Sequence, residues 1–331
     1  MSAPTPADAP GRAGVRGYAW SPEGFEELRS VDEVERAYAR PDAHLWIDLD
    51  EPGAELLADL AGCFRLHPLI VEDIVERNQR AKIETIGEVV HLVMFALLYA
   101  GELVAVEVDI VLGERFLLTA HDGAWDPRAS QHFRSGLERP LREGPDYVLY
   151  GVVDYLVDGY FPVFDRIADE IDQLQEDVIE RPSNWLVERL FQLRRDLLTI
   201  RHAVSPQREI FNQLTTRDFS LVRRGRIEYF RDVYDHLIRL TDELDSFREL
   251  VATTLDAYLS TVNNNLSEVM KRLTAATVIL AGMGAVAGIF GMSEAGLALR
   301  FQEAGGFWFV SAFVVFLGAL GLLYFRRIGW L

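Results

Sequence analysis

Two uncharged apolar stretches near the C-terminus limit the possible folds of this chain more than any other feature. Residues 273–292 are twenty consecutive positions without a charge, and residues 307–325 are nineteen more. A helix needs roughly 20 apolar residues, at about 1.5 Å rise per residue, to cross the core of a bilayer. We therefore predict two transmembrane helices. Two buried helices of a soluble protein are the alternative, which the sequence disfavours because no segment nearby could cover them.

The charges that flank these stretches predict their orientation. Basic pairs stand before the first stretch and after the second, at Lys271, Arg272, Arg326 and Arg327. Positive residues mark the cytoplasmic side of a membrane helix. We predict a two-span hairpin in the plasma (inner) membrane, with both termini in the cytoplasm, residues 293–306 outside and residues 326–331 as a cytoplasmic tail.

The two stretches differ in the size of their side chains. The first contains many Ala and Gly residues, which let helix backbones approach closely, whereas the second is rich in Phe, Val and Leu suited to lipid. The first helix is therefore predicted to be central and the second peripheral. Two helices cannot enclose a pore, so any pore requires several copies of the chain around an axis.

Composition excludes several classes of function. The net charge of -18 repels nucleic acid and favours cations near the surface. Cys63 is the single cysteine, which excludes an internal disulfide and a cysteine-rich zinc site. No nucleophile–base pair, phosphate-binding glycine loop or zinc motif stands at a recognisable spacing, so we predict neither an enzyme nor a bound cofactor. Residues 1–17, rich in Pro, Ala and Gly, are predicted to be a disordered cytosolic tail.

Residues 18–145 carry the pattern of a cytoplasmic α/β domain, a mixed sheet covered by helices. Helical periodicity and β-rich runs predict helices at residues 54–64 and 68–77 and strands at residues 44–49, 88–99, 103–112 and 115–120. Gly87, Gly101 and Gly113 stand at breaks between strands, where turns favour residues that tolerate positive φ.

Residues 146–272 are predicted to be a cytoplasmic helical and stalk region. Prolines predict breaks near residues 140–145, Pro182 and Pro206. No proline follows, so we predict one helix from Ile227 into the first span, ending at residue 292. Its apolar positions step by threes and fours, as in a coiled coil, through Phe230, Tyr234, Leu237, Thr241, Leu244, Val251, Leu255, Tyr258, Val262, Val269 and Leu273. This spacing suits packing against the preceding helices and against other copies.

Several motifs make the chain similar to a known family. They are Trp46-Ile-Asp-Leu49, His67-Pro-Leu-Ile-Val-Glu-Asp73 with Lys82, Phe230-Arg-Asp-Val-Tyr-Asp-His236, and Ile289-Phe-Gly-Met-Ser293 before a short loop and a second span. Together they resemble the CorA family of divalent-cation channels from about residue 18 onward. The resemblance implies a funnel-shaped homopentamer whose stalk helix continues as the pore-lining first span. It implies transport of hydrated magnesium, cobalt or nickel, whereas similar relatives of the ZntB type move zinc.

The outer pore mouth departs from the family pattern. The signature Gly-Met-Asn is Gly291-Met292-Ser293 in this chain. In the family the Asn carboxamides hold the ion through its water shell, because Mg²⁺ keeps several of its waters. A serine hydroxyl is shorter, and Glu294 offers a ring of carboxylates, so we expect altered selectivity. The alternatives are Glu294 as a solvated loop charge and, for the whole protein, a non-conducting membrane-anchored structural or sensory homologue.

The resemblance also assigns roles along the first span. It places an inner polar ring at Ser267, a hydrophobic gate at Met270 and Leu273, and further pore-facing positions at Thr277, Ala281, Gly284 and Gly288. An apolar gate of this kind closes by losing its water. For Ala281 and Gly284, a role in helix packing alone is the alternative.

A regulatory magnesium site shared between subunits is assigned by the resemblance to Asp232. The partner acid expected after Tyr99 is absent, because the next residue is Ala100 and the nearest acid is Glu102. The spacing of Asp232 and His236, four residues apart, also fits a transition-metal pair, with a solvated charged helix face as the more common case.

Overall fold

The computed structural model describes residues 15–99, 102–217, 219–291 and 305–330. These residues fall into two compact units, which we describe separately. One comprises the chain up to Leu174 together with Val187–Ala252, and the other comprises Gln175–Leu186 with Thr253–Leu331. The elements combine a mixed sheet, a long helix and two C-terminal apolar helices, as the sequence predicts.

The first unit begins with alternating strands and helices. The strands are β1 (Arg16–Ser21), β2 (Gly24–Leu28), β3 (His44–Asp50), β4 (Lys82–Ile86), β5 (Val89–Tyr99), β6 (Leu103–Leu112) and β7 (Phe116–His121). The helices among them are α1 (Val31–Tyr38), α2 (Ala54–Phe64) and α3 (Pro68–Glu76). In the described residues the strands form one sheet in the order β2-β1-β3-β7-β6-β5-β4. Only β3 and β7 pair in parallel, so the sheet is mixed as predicted.

Helices cover both faces of the sheet, and successive side chains of β3 point alternately to one face and to the other. Leu45 and Ile47 join a buried core with Leu57 and Ile70 of α2 and α3. Trp46 points to the other face, where its ring centroid lies 4.9 Å from that of Phe133. A strand buried on both faces reads as a continuous apolar run rather than as an alternation. Both faces of β3 are therefore buried.

The predicted turn glycines have different physical causes. Gly87 joins β4 to β5 with φ of +66°, as expected for a residue that tolerates a left-handed conformation. Gly113 does not have a positive φ, so the predicted reason for a glycine at this position was wrong. A Cβ at this position would lie 2.1 Å from the Phe116 ring, so the close approach of that ring requires glycine. Gly101 lies outside the described residues.

Helices make up the rest of the described chain. After two short 3₁₀ segments come α4 (Glu138–Glu143), α5 (Pro145–Asp158), α6 (Phe161–Glu180), α7 (Asn184–Thr216), α8 (Ile227–Gly291) and α9 (Gly305–Arg327). The predicted break at Pro206 is wrong, because α7 continues through it. Proline inside a helix costs about 3 kcal/mol. The burial of Val204, Ile210 and Phe211 around this position offsets that cost.

The apolar seam of α8 follows a heptad-like spacing. Phe230, Leu237, Leu244, Val251 and Tyr258 are buried as predicted. Tyr234 and Thr241 are only half-buried, and the positions just before them are buried instead. The buried seam thus steps by three and four residues through Phe230, Val233, Leu237, Leu240, Leu244, Phe247, Val251, Thr254 and Tyr258. From Leu259 to Leu273 the apolar side chains of α8 are exposed.

Candidate ion-conduction site

The C-terminal part of α8 and the whole of α9 are the two described helices long and apolar enough to cross a membrane. Both are largely unburied within one copy of the chain, with Leu273 60% and Leu280 68% exposed. Contiguous apolar surface of this size is not stable in water. Lipid, or other copies of the chain, must therefore cover these helices.

The two helices pack against each other through one face of α8. A Cβ at Gly318 of α9 would lie 2.8 Å from Met283 Sδ, and one at Gly321 would lie 3.1 Å from Ile279 Cγ1. Ala275, one turn before Ile279, is completely buried. Small residues at such a contact let two helices approach closely, which is the usual means of association inside a membrane. The second helix therefore occupies the face of α8 that contains Ala275, Ile279 and Met283.

The predicted pore positions lie on the opposite face of α8. At about 100° per residue, Met270, Thr277, Ala281 and Gly288 fall roughly 180° from the face that contacts α9. Each of them is exposed in the single chain, as are Ser267, Leu273 and Gly284. Cβ atoms built on Gly284 and Gly288 would meet nothing within 4 Å. The structure thus brings the predicted pore positions onto one uncovered stripe, which we call the open stripe.

The polar groups on the open stripe are few. The Thr277 hydroxyl donates a hydrogen bond to the Leu273 carbonyl oxygen at 2.8 Å, so its proton is already used within the helix. Its oxygen lone pairs remain available to a hydrated ion. Ser267 presents an exposed hydroxyl nearly three turns before Thr277. The remaining positions are apolar or small.

The outer mouth is described only in part. Gly291 is the last residue of α8. Met292, Ser293 and Glu294 lie outside the described residues, so their assignments stay predictions.

The surroundings of Asp232 are acidic. Asp232 is exposed on α8, and His236, one turn later, has its Nδ1 3.8 Å from Asp158 Oδ1 of α5. Burial, followed by the charge of Asp154, raises the pKa of Asp158. The nearby Asp154 accepts a hydrogen bond from His132 Nε2 at 2.7 Å. Within the described ranges no group of three or more His, Cys, Asp or Glu side chains has a geometry that holds a metal ion.

Asp154 and Asp158 are the residues that the sequence analysis missed at this place. They are four residues apart on α5, which puts both on one face of the helix, and this spacing could have indicated the acidic patch from the sequence. Burial, followed by the charges of Asp154 and Asp232, raises the pKa of Tyr150. One copy of the chain thus supplies an acidic patch and not a completed metal site.

Tyr99, beside the expected partner acid, already has a cationic neighbour. The Cζ of Arg166 lies 3.5 Å from the centroid of the Tyr99 ring, which is a cation–π contact. Glu102 is exposed, and Ala100 lies outside the described residues. Arg166 thus already supplies positive charge at one face of this ring.

Known proteins resemble this chain along almost its whole length. The sequence profile of the family described as CorA-like Mg2+ transporter protein matches residues 41–327. The cobalt/magnesium transport protein CorA of Thermotoga maritima is 34% identical over 322 residues, which cover 94% of this chain and 91% of that protein. The zinc transport protein ZntB of Cronobacter sakazakii is 28% identical over 183 residues, which cover 54% of each.

A solved structure agrees with these relatives. The complete structure of the CorA magnesium transporter from Methanocaldococcus jannaschii superimposes with a TM-score of 0.79, covering 96% of this chain and 99% of that one. The sequence identity between the two is 22%, so this comparison establishes the fold. The profile match over most of the chain and the long alignment with the Thermotoga protein establish more: this chain belongs to the CorA-like Mg2+ transporter family.

Proposed function

We propose that the chain forms a homopentameric channel that carries divalent cations, chiefly magnesium, cobalt or nickel, across the inner membrane. The observation that carries this proposal is the open stripe of α8. It lies opposite the face that contacts α9, and it contains the positions that the family resemblance assigns to the pore. A helix that gives one face to lipid-facing α9 and leaves the other free is suited to line an axis shared by several copies.

The exposed continuation of the heptad seam supports assembly of several copies. Beyond Tyr258, the apolar positions step by three and four residues through Leu259, Val262, Leu266, Val269 and Leu273. All five are exposed, from 38% at Val262 to 60% at Val269 and Leu273. An apolar seam with this spacing packs against the same seam of neighbouring helices. Its first four positions lie roughly 60° from the open stripe, and Leu273 joins the two, so contacts between neighbours would flank a central conduit.

The ring at the outer mouth would hold hydrated ions. Five copies of Ser293 would offer hydroxyl groups to the ion's water shell, and five copies of Glu294 would add negative charge. Carboxylate rings attract cations and exclude anions. This combination supports a cation pathway whose selectivity differs from that of a carboxamide ring.

The arrangement of basic residues supports the orientation. Both basic flanks of the hairpin, Lys271 with Arg272 and Arg326 with Arg327, would face the cytoplasm together with the acidic body. The large charged domain before residue 273 would then remain inside the cell. Lipid would contact the outer face of α9.

A flux assay tests the proposal. The purified full chain is reconstituted into vesicles, and uptake of Mg²⁺, Co²⁺, Ni²⁺ and Zn²⁺ is measured with and without a pH gradient. We expect uptake of Mg²⁺, Co²⁺ or Ni²⁺ that falls about tenfold or more in Gly291→Phe, because a bulky ring at the narrow mouth blocks a hydrated ion. The matched control is Leu323→Phe at an exposed position of α9. A folded pentamer that carries none of the four ions refutes the proposal.

Two alternative functions give different results in the same assay. A zinc transporter moves Zn²⁺ in preference to the other ions. A non-conducting structural or sensory homologue, which Ser293 in place of the signature Asn favours, moves none. Ser293→Asn separates the two cases. In a non-conducting protein it would create uptake where the wild type has none, whereas in a channel it would change the relative uptake rates of the four ions.

A further inference from the structure

A group of acidic side chains lies at the sheet edge formed by β4, β5 and β6, under helix α3. The acids are Asp73 of α3, Glu84 of β4, and Glu107 and Asp109 of β6, and they surround Lys82 and His91. In the strand register Glu84 lies opposite His91, and Asp109 lies opposite Val93, two residues along from His91. Side chains two residues apart on a strand share a face. These acids therefore meet on one face of the sheet, and we call them the edge cluster.

His91 is at the centre of the edge cluster. It is completely buried, and its Nε2 lies 2.8 Å from Asp109 Oδ1. Its Nδ1 is enclosed and has no hydrogen-bond partner, and the carboxylate oxygen Asp73 Oδ2 lies 3.9 Å from it. The same Asp73 oxygen accepts from Lys82 Nζ at 2.8 Å. A buried polar nitrogen without a partner is uncommon, because such a group costs desolvation energy.

Glu107 is the second unsatisfied member. One of its oxygens accepts from the Gln79 backbone N–H at 3.2 Å, while the other, Oε1, is buried without a partner. Burial, followed by the charge of Asp109, raises the pKa of Glu107 to about 7, against the opposing effect of the Gln79 N–H and of Arg77. This carboxyl group therefore changes its charge close to neutral pH.

The charges of the edge cluster do not balance when every acid is ionised. Lys82 then pairs with Asp73 and Glu84, Asp109 pairs with His91, and Arg77 is the cation that acts on Glu107. Excess negative charge in a partly buried site is costly, and protonating one acid removes it. A proton on Glu107 also turns its buried carboxylate into a group that can donate a hydrogen bond.

We propose that the edge cluster binds a proton on Glu107, and that release of this proton loosens the contact of α3 and β4 with β5 and β6. A newly ionised Glu107 repels Asp73 of α3. Asp73 is in turn paired with Lys82 of β4, so a displacement of α3 also disturbs β4. A metal ion is the competing occupant. It is disfavoured because Lys82 already contacts Asp73, Asp109 already pairs with His91, and the described residues form no metal-binding group of three.

Infrared difference spectra of the full chain in detergent, recorded between pH 6 and pH 8, test the proton site. We expect the carbonyl band of a protonated carboxylic acid at pH 6, its loss at pH 8, and its absence from Glu107→Gln. The matched control is Glu88→Gln, an exposed acid in the β4–β5 turn, which keeps the band. Should Glu107→Gln fail to fold, Asp109→Asn serves in its place, because removing the neighbouring charge shifts the loss of the band to lower pH.

Hydrogen exchange tests the loosening. After correction for intrinsic rates, amides of α3 and β4 in the wild-type chain are expected to exchange about threefold or more faster at pH 8 than at pH 6, and equally at both in Glu107→Gln. A wild-type chain without the infrared band, or with the same exchange at both pH values, overturns the proposal. So does a band that changes only when Mg²⁺ or Zn²⁺ is added, which identifies a metal site. Neither measurement uses transport, so the outcome is independent of the proposed channel function.

Discussion

Gly318 of α9 and Met283 of α8 contact each other so closely that a Cβ at position 318 would lie 2.8 Å from the methionine sulfur. We predict that Gly318→Leu separates the two apolar helices, because a branched side chain has no space between them. Ala319→Leu, at the next and exposed position, should leave the hairpin intact. Thermal unfolding in detergent distinguishes them, and equal midpoints for the two variants would show that the contact does not matter.

The exposed seam of α8 predicts how assembly depends on charge. Leu266 is 59% exposed in a single copy, and Leu266→Glu would bring several carboxylates together around the proposed axis. We expect the oligomer to dissociate or weaken, measured by native mass spectrometry in mild detergent. Asn264→Glu adds the same charge on the opposite side of the helix and should keep the wild-type mass. Wild-type particles that are only monomers or dimers would contradict the pentamer.

The apolar gate that the family resemblance assigns to Met270 and Leu273 predicts an effect on basal conduction. Met270 is exposed on the open stripe, and Met270→Asn would replace a ring of thioethers with a ring of carboxamides. A polar ring keeps water in a constriction that an apolar ring would empty. We expect faster vesicle uptake of Mg²⁺ with an unchanged oligomer mass. Slower or unchanged uptake would argue against a gate at this position.

The pair of His121 and Asp48 predicts a pH dependence of stability. His121 Nδ1 donates to the Asp122 carbonyl oxygen at 2.7 Å, and its Nε2 lies 3.1 Å from Asp48 Oδ1. Burial opposes a charge on His121, but the hydrogen bond to Asp48 and its charge outweigh burial and raise the pKa of the ring. The folded state binds the His121 proton more tightly than the unfolded state does. Protonation of His121 therefore stabilises the fold fully below about pH 6.5, the ordinary pKa of histidine, and this stabilisation is lost as the pH rises through the pKa of the folded state.

Asp48→Asn tests this linkage. It should lower the free energy of unfolding by about 3 kcal/mol at pH 6, because a buried imidazolium loses its partner, and by less at pH 9. Asp42→Asn, an exposed acid before β3, should leave stability unchanged at both values. Denaturant unfolding monitored on the tryptophans of the first unit provides the measurement. An equal loss at pH 6 and pH 9 would show that the pair carries no linked proton.

Local patterns of residues were sufficient to predict several elements of the fold. Helices α2 and α3, strands β5 and β6, and the length of α8 were all predicted within about two residues. Each is long, or strongly periodic, or bounded by glycine or proline, and such patterns specify an element whatever lies around it. The two apolar stretches belong to the same class, because their length alone matches a bilayer.

Strands β1, β2 and β4 and helix α1 were not predicted individually. β2 and β4 are short edge strands with charged residues, β2 mostly exposed and β4 partly buried. Their hydrogen bonds to neighbouring strands specify them more than their own composition does. Pro206 shows the same effect in a helix, since packing around α7 outweighs the local cost of proline.

The candidate sites also differ in whether the sequence alone could predict them. Positions repeating along one helix, such as Met270, Thr277 and Ala281, were placed together by helical geometry, and the structure added that α9 covers the opposite face. The edge cluster required tertiary structure, because Asp73, His91 and Asp109 come from a helix and two strands. Periodicity is a property of neighbouring residues along the chain. Whether a nitrogen such as His91 Nδ1 is buried without a hydrogen-bond partner depends instead on how segments distant in the sequence pack around it.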